Sequence, residues 1–349
     1  MGFSLSHDMH LPETSFLKEE GPYAAIDLGS NTCRLLIVRR INNCLEPLEV
    51  LSRFTRLGQG ISQSNFLSDE AMDRSLKALE QFTHKIHKYR PLKLYAVATE
   101  AVRRAKNKAM FLERVKNQLG LTMYAISQRE EARLALKGCA DLLNPNIPYA
   151  LVFDIGGAST EVMWIQQSAN QGPVIIDWLS LPFGVVTLME DYHTDHAADY
   201  RTIRENTYKS LEDFTQKHNI QSHIFANQVQ ILGTSGTATT AVAIYHNLKR
   251  YERTKIDGMK IHYSEIRDVI KTVQMMSNEE RNYNRCIGIG RGDLVLGGLA
   301  ILEGIFDSWP VGEMTVADRG VREGIVTELA FGQESSFTYK PYLPFKNVA

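Results

Sequence analysis

Two short stretches of this chain carry the same chemical device. Asp27 closes the apolar run Ala24-Ala25-Ile26 and is followed by Leu28-Gly29-Ser30-Asn31-Thr32. Asp154 closes Leu151-Val152-Phe153 and is followed by Ile155-Gly156-Gly157-Ala158-Ser159. Small residues let a backbone approach an oxyanion and aim N–H groups and hydroxyls at it. An aspartate at the strand end is suited to a hydrated cation beside that anion, which makes Asp27 and Asp154 candidate metal ligands. The copies diverge just past the turn, to Arg34 in the first and Glu161 in the second. Two such turns imply a clamp on a chain of phosphates. The plainer reading, two ordinary hairpins, leaves the matched aspartates unexplained.

Three more stretches could add to that clamp. Gly233-Thr234-Ser235-Gly236-Thr237 follows the apolar run Val229-Gln230-Ile231-Leu232 and opens a helix, where free N–H groups and the positive helix end favour an anion. Arg103 lies in a basic stretch after a strand, with Lys106 and Lys108 raising the local potential. Ligand contacts gather at that end of an open α/β sheet, and an arginine there can grip a phosphate through two N–H groups. Glu130 and Glu131 begin a helix at the boundary between the two halves. Acids in a first turn usually complement the helix dipole, but this location makes a catalytic carboxylate plausible.

These residues need elements to hold them. The pattern predicts strands over 23–27, 32–40 and 45–53, a helix from a Ser68 cap to about 90, and a strand over 92–98. A helix near 107–120, a strand over 121–126 and a helix over 128–143 follow. After Asn144-Pro145-Asn146 the order restarts. Strands over 149–154, 160–165 and 174–180 precede helices over 184–192 and 199–218, a strand over 229–232 and a helix to about 248. Helices are expected from Ser264 and Asp293, then a strand over 313–317 and a helix from Val321. Apart from the helix from Ser264, the stretch 250–292 reads as a loop, suggested by Arg253, Lys255, Asp257 and Gly258.

The fold class is therefore α/β with two similar halves. Residues 1–21 are expected to be flexible, 22–143 to form the first domain and 144–320 the second. The last helix, about 321–335, should return to the first. The 349 residues suit two domains, and 44% hydrophobic content supplies their cores. A net charge of −1 gives no global attraction for nucleic acid. No apolar run nears the roughly 18 residues of a membrane span, and no leader pattern opens the chain, so a cytoplasmic location is expected. Four cysteines without paired spacing read as reduced thiols. The pairs His84/His87 and His193/His196 lack a completing ligand and read as solvated.

Taken in order, Asp27 to Thr32, Thr99 to Arg103, Glu130-Glu131-Ala132-Arg133, Asp154 to Glu161, Gly233 to Thr237 and Arg322-Glu323-Gly324 resemble the Ppx/GppA family over about 22–332. That family contains exopolyphosphatases and guanosine pentaphosphate phosphohydrolases, within the actin-like, sugar-kinase-like superfamily. The resemblance implies two ribonuclease-H-like domains around an interdomain cleft, in the short form without a C-terminal HD-like domain. It implies that Glu131 is the general base, that Arg103 contacts substrate phosphate, and that Asp154 and Glu161 bind or orient the metal. The three glycine turns would be phosphate loops, with Mg²⁺ the default ion and Mn²⁺ the second choice.

The expected activity is release of terminal orthophosphate from inorganic polyphosphate. A pppGpp phosphohydrolase, an ATPase or sugar kinase, and a non-enzymatic sensor of polyphosphate or ppGpp remain open, as does a homodimer. Lys249, Arg250, Arg253 and Lys255 are candidates for a basic track. The family usually reads Asp-x-Gly-Gly-Gly-Ser, and here the third glycine is Ala158. If that position needs positive φ, alanine costs about 1 kcal/mol or more. If it needs only a small side chain, little changes.

Overall fold

Strands β1 (Glu19–Leu28), β2 (Thr32–Ile41), β3 (Cys44–Phe54), β4 (Lys93–Ala98) and β5 (Tyr124–Ala125) form one sheet in the order β3-β2-β1-β4-β5. Strands β6 (Tyr149–Ile155), β7 (Thr160–Gln166), β8 (Val174–Leu181), β9 (Val229–Thr234), β10 (Lys260–His262) and β11 (Glu313–Ala317) form the other, in the order β10-β11-β9-β6-β7-β8. The structure is a computed structural model that describes residues 19–168, 172–192, 197–288 and 290–332. His193, His196 and most of the N-terminal stretch lie outside the described residues, as do the residues expected to extend the last helix past 332. In each sheet the first strand pairs antiparallel with the second and parallel with the next strand but two (β1 with β2 and β4, β6 with β7 and β9). This is the ribonuclease-H-like topology, present twice.

Strand alternation decides which side chains meet between the sheets. On β1, Ala24, Ile26 and Leu28 pack outward with the helices Asp69–Tyr89 and Lys108–Leu119, while Tyr23 and Ala25 face inward. On β6, Leu151, Phe153 and Ile155 join the outer core, while Ala150 and Val152 face inward. The inward faces share one core with two helices, Gln128–Cys139 and Val321–Phe331. The molecule is thus layered helix, sheet, helix pair, sheet, helix.

The central helices cross closely because glycines allow it. A Cβ on Gly138 would lie 2.2 Å from the Gly320 carbonyl oxygen, and one on Gly324 would lie 2.0 Å from that of Leu134. Arg322-Glu323-Gly324 is therefore in part a packing motif. Glu323 also accepts from the Gly320 N–H at 2.9 Å, closing the first turn of its helix.

Several elements differ from the sequence pattern. The stretch 250–292 holds more than the helix expected from Ser264, which runs Tyr263–Met275: it also contains the helices Arg253–Ile256 and Asn278–Tyr283, and β10. The helix expected over 199–218 breaks at Leu211 into Ala197–Ser210 and Glu212–Lys217. The strand expected over 121–126 pairs only through Tyr124 and Ala125. Among the described residues no helix is long and apolar enough to cross a membrane. All four cysteines are free thiols.

Candidate active site

The period of two that buries Ala25 and Val152 carries Asp27 and Asp154 to the same inward face, each at the end of its sheet's central strand. The antiparallel register does the rest. Asp27 pairs across with Arg34 on β2, and Asp154 pairs across with Glu161 on β7. The divergence after the two turns is therefore a difference between two cross-strand neighbours of equivalent aspartates. All four residues line a cavity of about 110 Å³ between the sheets.

The two turns are built alike. Each closes with a 3.0 Å backbone bond, from the Gly29 N–H to the Thr32 carbonyl and from the Gly156 N–H to that of Ser159. Each has two carbonyls tied to a supporting segment. The Gly58 N–H donates to the Ser30 carbonyl at 2.8 Å, and those of Thr55 and Arg56 donate to that of Asn31. In the second turn the Val185 N–H donates to the Gly156 carbonyl at 3.0 Å and that of Val186 to the Gly157 carbonyl at 2.7 Å. In a trans peptide the N–H points opposite to the preceding carbonyl. The amides of Asn31 and Thr32, and of Gly157 and Ala158, therefore point away from their supports, and all four residues line the cavity. Gly29, Ser30, Gly156 and Ser159 line it too.

The turns also touch each other. A Cβ on Gly157 would lie 3.0 Å from the Asn31 nitrogen and Cβ. Ala158 is buried and is not among the residues with positive φ, so alanine there carries no left-handed strain.

The third turn divides its labour. β9 runs through Gly233 and Thr234, and the helix Ser235–Tyr245 begins only afterwards. Gly233 is not on the cavity wall: it is a core residue whose Cβ would meet Met314 and Phe153. The Thr234 hydroxyl donates to Asp154 Oδ2 at 3.4 Å. Ser235 opens the helix. Gly236 and Thr237 line the cavity.

Glu131 reaches the cavity from the first turn of the Gln128–Cys139 helix, whose Ser127 cap accepts from the Glu130 N–H at 3.2 Å. Burial pushes its carboxyl up to about 7, with Arg103 opposing and Asp27 and Asp154 adding to the rise. Asp27 is raised to about 6, chiefly by burial, against Arg34 and Arg322. Glu161 stands well above the usual range through burial and the nearby Glu131 and Asp154, although Ser159 and Ser180 hydrogen-bond it.

Arg103, expected to contact phosphate, is not among the residues that line the cavity. One of its terminal nitrogens donates to Glu131 Oε2 and to the Ile126 carbonyl, both at 2.9 Å, and the other is paired with Glu100. Its charge is spent on holding the carboxylate. The basic track also changes. Arg253 is tied to Glu323 at 2.6 Å and to Asp318, and Lys255 pairs with Glu252 at 3.1 Å. Lys249 and Arg250 are exposed.

Sequence reasoning missed Arg291, which lines the cavity from the stretch expected to be a loop. It packs against Gly236, where an added Cβ would lie 1.9 Å from its guanidinium. The signal was present in Gly288, Gly290 and Gly292 around it, since Gly288 and Gly290 adopt positive φ. Glu100, Thr99 and Thr240 also line the cavity and carried no earlier assignment.

Five carboxylates, Asp27, Glu100, Glu131, Asp154 and Glu161, thus line one space, and burial raises those of Asp27, Glu131 and Glu161; a divalent cation would offset the negative charge crowded there. No three His, Cys, Asp or Glu side chains among the described residues make a ready ligand cage. That donor set fits Mg²⁺, which keeps its waters and takes one or two carboxylates plus substrate phosphates. It does not fit structural zinc.

Two ribonuclease-H-like sheets meeting at paired aspartate turns define a two-sheet α/β protein with an acid-lined cavity between the turns. The model described as the Ppx/GppA phosphatase family matches residues 36–331, and the chain belongs to that family. A family member from Aquifex aeolicus is 26% identical in solved structure, with a TM-score of 0.74, covering 91% of this chain and 100% of that one. A second structure of the Aquifex aeolicus enzyme is 28% identical over 89% of this chain and 100% of its own, with a TM-score of 0.72. An exopolyphosphatase from Cytophaga hutchinsonii shares the fold at a TM-score of 0.80 and 22% identity, covering 91% and 100%.

Proposed function

We propose that this chain is an exopolyphosphatase that hydrolyses the terminal phosphoanhydride bond of inorganic polyphosphate. The observation that carries the reading is the convergence of both turns' amides and the Glu131 carboxylate on one cavity. The amides of Asn31, Thr32, Gly157 and Ala158 bind non-bridging oxygens of the terminal units, with Arg34 and Arg291 adding charge from opposite walls. Asp154 and Glu161, with Asp27 facing them, hold a divalent cation, which when bound supplies neutralisation of the phosphate oxygens. Glu131, kept in place by Arg103, orients a water and takes its proton as the water attacks in line. The shortened chain leaves as the new phosphate forms, and no covalent nucleophile is needed.

Glu131→Gln keeps size and hydrogen bonding while removing the base. Its turnover on long-chain polyphosphate with Mg²⁺ is expected to fall by about 10²- to 10⁴-fold. A folded variant with near wild-type turnover would remove Glu131 from the reaction. Initial rates on pppGpp, measured beside those on polyphosphate, decide which phosphate chain is preferred.

A further inference from the structure

Glu100 is the cavity acid that the proposed reaction leaves unused. It opens the short helix Glu100–Arg104, is 9% exposed and lines the cavity beside Thr99 and Glu131. Its Oε2 is bonded to one terminal nitrogen of Arg103, and its Oε1 lies 4.0 Å from Arg104 Nε. The ordinary reading of such contacts three and four residues apart is a helix ion pair. Two observations argue for more. Glu100 is buried at the cavity, where exposed helix pairs are not found, and the guanidinium it binds is the one that holds Glu131.

A guanidinium beside a carboxylate prefers a parallel two-nitrogen grip. Here that grip is not made: Glu131 receives one nitrogen, which also serves the Ile126 carbonyl, and Glu100 occupies the other. We infer that Glu100 is a positioning residue for the proposed hydrolysis, dividing the Arg103 fork so that Glu131 is held through Oε2 alone and Oε1 stays available to the attacking water. Glu100 also shares the Arg103 charge, so that Glu131 remains a stronger base than a fully paired carboxylate would be. This role rests on the reading of Glu131 as general base.

Glu100→Gln retains a hydrogen-bond acceptor for Arg103 and removes the competing charge. The acid limb of the kcat/KM profile should move to lower pH by about half a unit or more, with plateau turnover down by roughly 3- to 10-fold. The other charged groups facing Glu131 are Asp27 on β1, Asp154 on β6 and Glu161 on β7, and the substitution leaves them in place. A second measurement tests the route. In an Arg103→Met background, Glu100→Gln should have little further effect on kcat, because both act through one guanidinium. An unmoved acid limb with unchanged turnover, or fully additive losses in the double variant, would overturn the inference. If Arg103→Met does not fold, the acid limb of Glu100→Gln decides alone. The two readings fail differently: active Glu131→Gln defeats the general base, whereas inactive Glu131→Gln beside a wild-type Glu100→Gln profile defeats only the role of Glu100.

Discussion

Ala158 and Gly157 are adjacent small residues with different physical duties. Ala158 departs from the family's glycine, but its backbone is outside the left-handed region, so only its size matters there. Ala158→Gly should bring no gain in rate and should cost roughly 0.5–1 kcal/mol through the freer unfolded chain. Gly157 is the point where the turn of one sheet meets Ser30 and Asn31 of the other, at 3.0–3.1 Å from a built Cβ. Its carbonyl is fixed by the Val186 and Thr187 amides, so the turn cannot swing aside. Gly157→Ala should therefore push the two turns apart and lower kcat/KM by about tenfold, a loss of roughly 1.4 kcal/mol in transition-state binding. Thermal unfolding should show little change, since the added methyl faces the other turn and not a core. Steady-state kinetics and melting of both variants check the pair, and a rate loss confined to Ala158→Gly would reverse the assignment.

At the scale of elements, the sequence disclosed what periodicity controls and hid what three-dimensional neighbours control. The strand ending at Asp27 and its repeat at Asp154 were legible because alternation and turn chemistry are local. So was the helix that carries Glu131, expected from about Gln128 and observed as Gln128–Cys139. The short elements in 250–292 were not legible, because their apolar residues, such as Ile256 and Ile261, are buried only by packing on β11 and the distant helices of the second sheet. Arg253 reads as a surface cation in the sequence, yet it is bound to Glu323 on the last helix. Burial alone would raise the Glu323 carboxyl, but Arg322 and Arg253 outweigh it and hold it at about 2. A depressed carboxyl contributes its full stability above the unfolded value near 4.5 and loses it as pH falls toward 2. The contribution is on the order of 3 kcal/mol. Glu323→Gln should thus be less stable at pH 7 by about that amount, and the gap should narrow below pH 4.5. Melting curves from pH 7 to 3 check this, and a gap independent of pH would show that packing, not charge, is what Glu323 supplies.

At the scale of the whole molecule, the cleft is closed by contacts that neither half could predict alone. Glu190, on the helix Val185–Asp191, accepts from the Gly60 N–H at 2.5 Å and from the Ser62 hydroxyl at 2.8 Å. Arg56 donates across the same divide to the Gly290 carbonyl at 2.6 Å and is paired with Asp293 at 3.1 Å. Both bridges leave from the segment that also holds the carbonyls of the first turn, and Glu190 belongs to the helix that holds those of the second. The bridges therefore join the two halves at the segments that support both turns. Hydrogen bonds to a charged carboxylate contribute about 1.5–3 kcal/mol. Loss of these bonds is expected to let the two sheets part more often, and the apparent affinity for substrate would fall with the population that stays joined. Glu190→Ala should raise KM by about tenfold or more while kcat changes less, because saturating substrate binds the closed form and restores it. Small-angle scattering of the free protein should report a larger radius of gyration than wild type, and the difference should shrink when substrate is added to a Glu131→Gln, Glu190→Ala double variant that binds without turnover. A KM effect without any change in scattering would assign Glu190 to local support of the second turn, and not to closure.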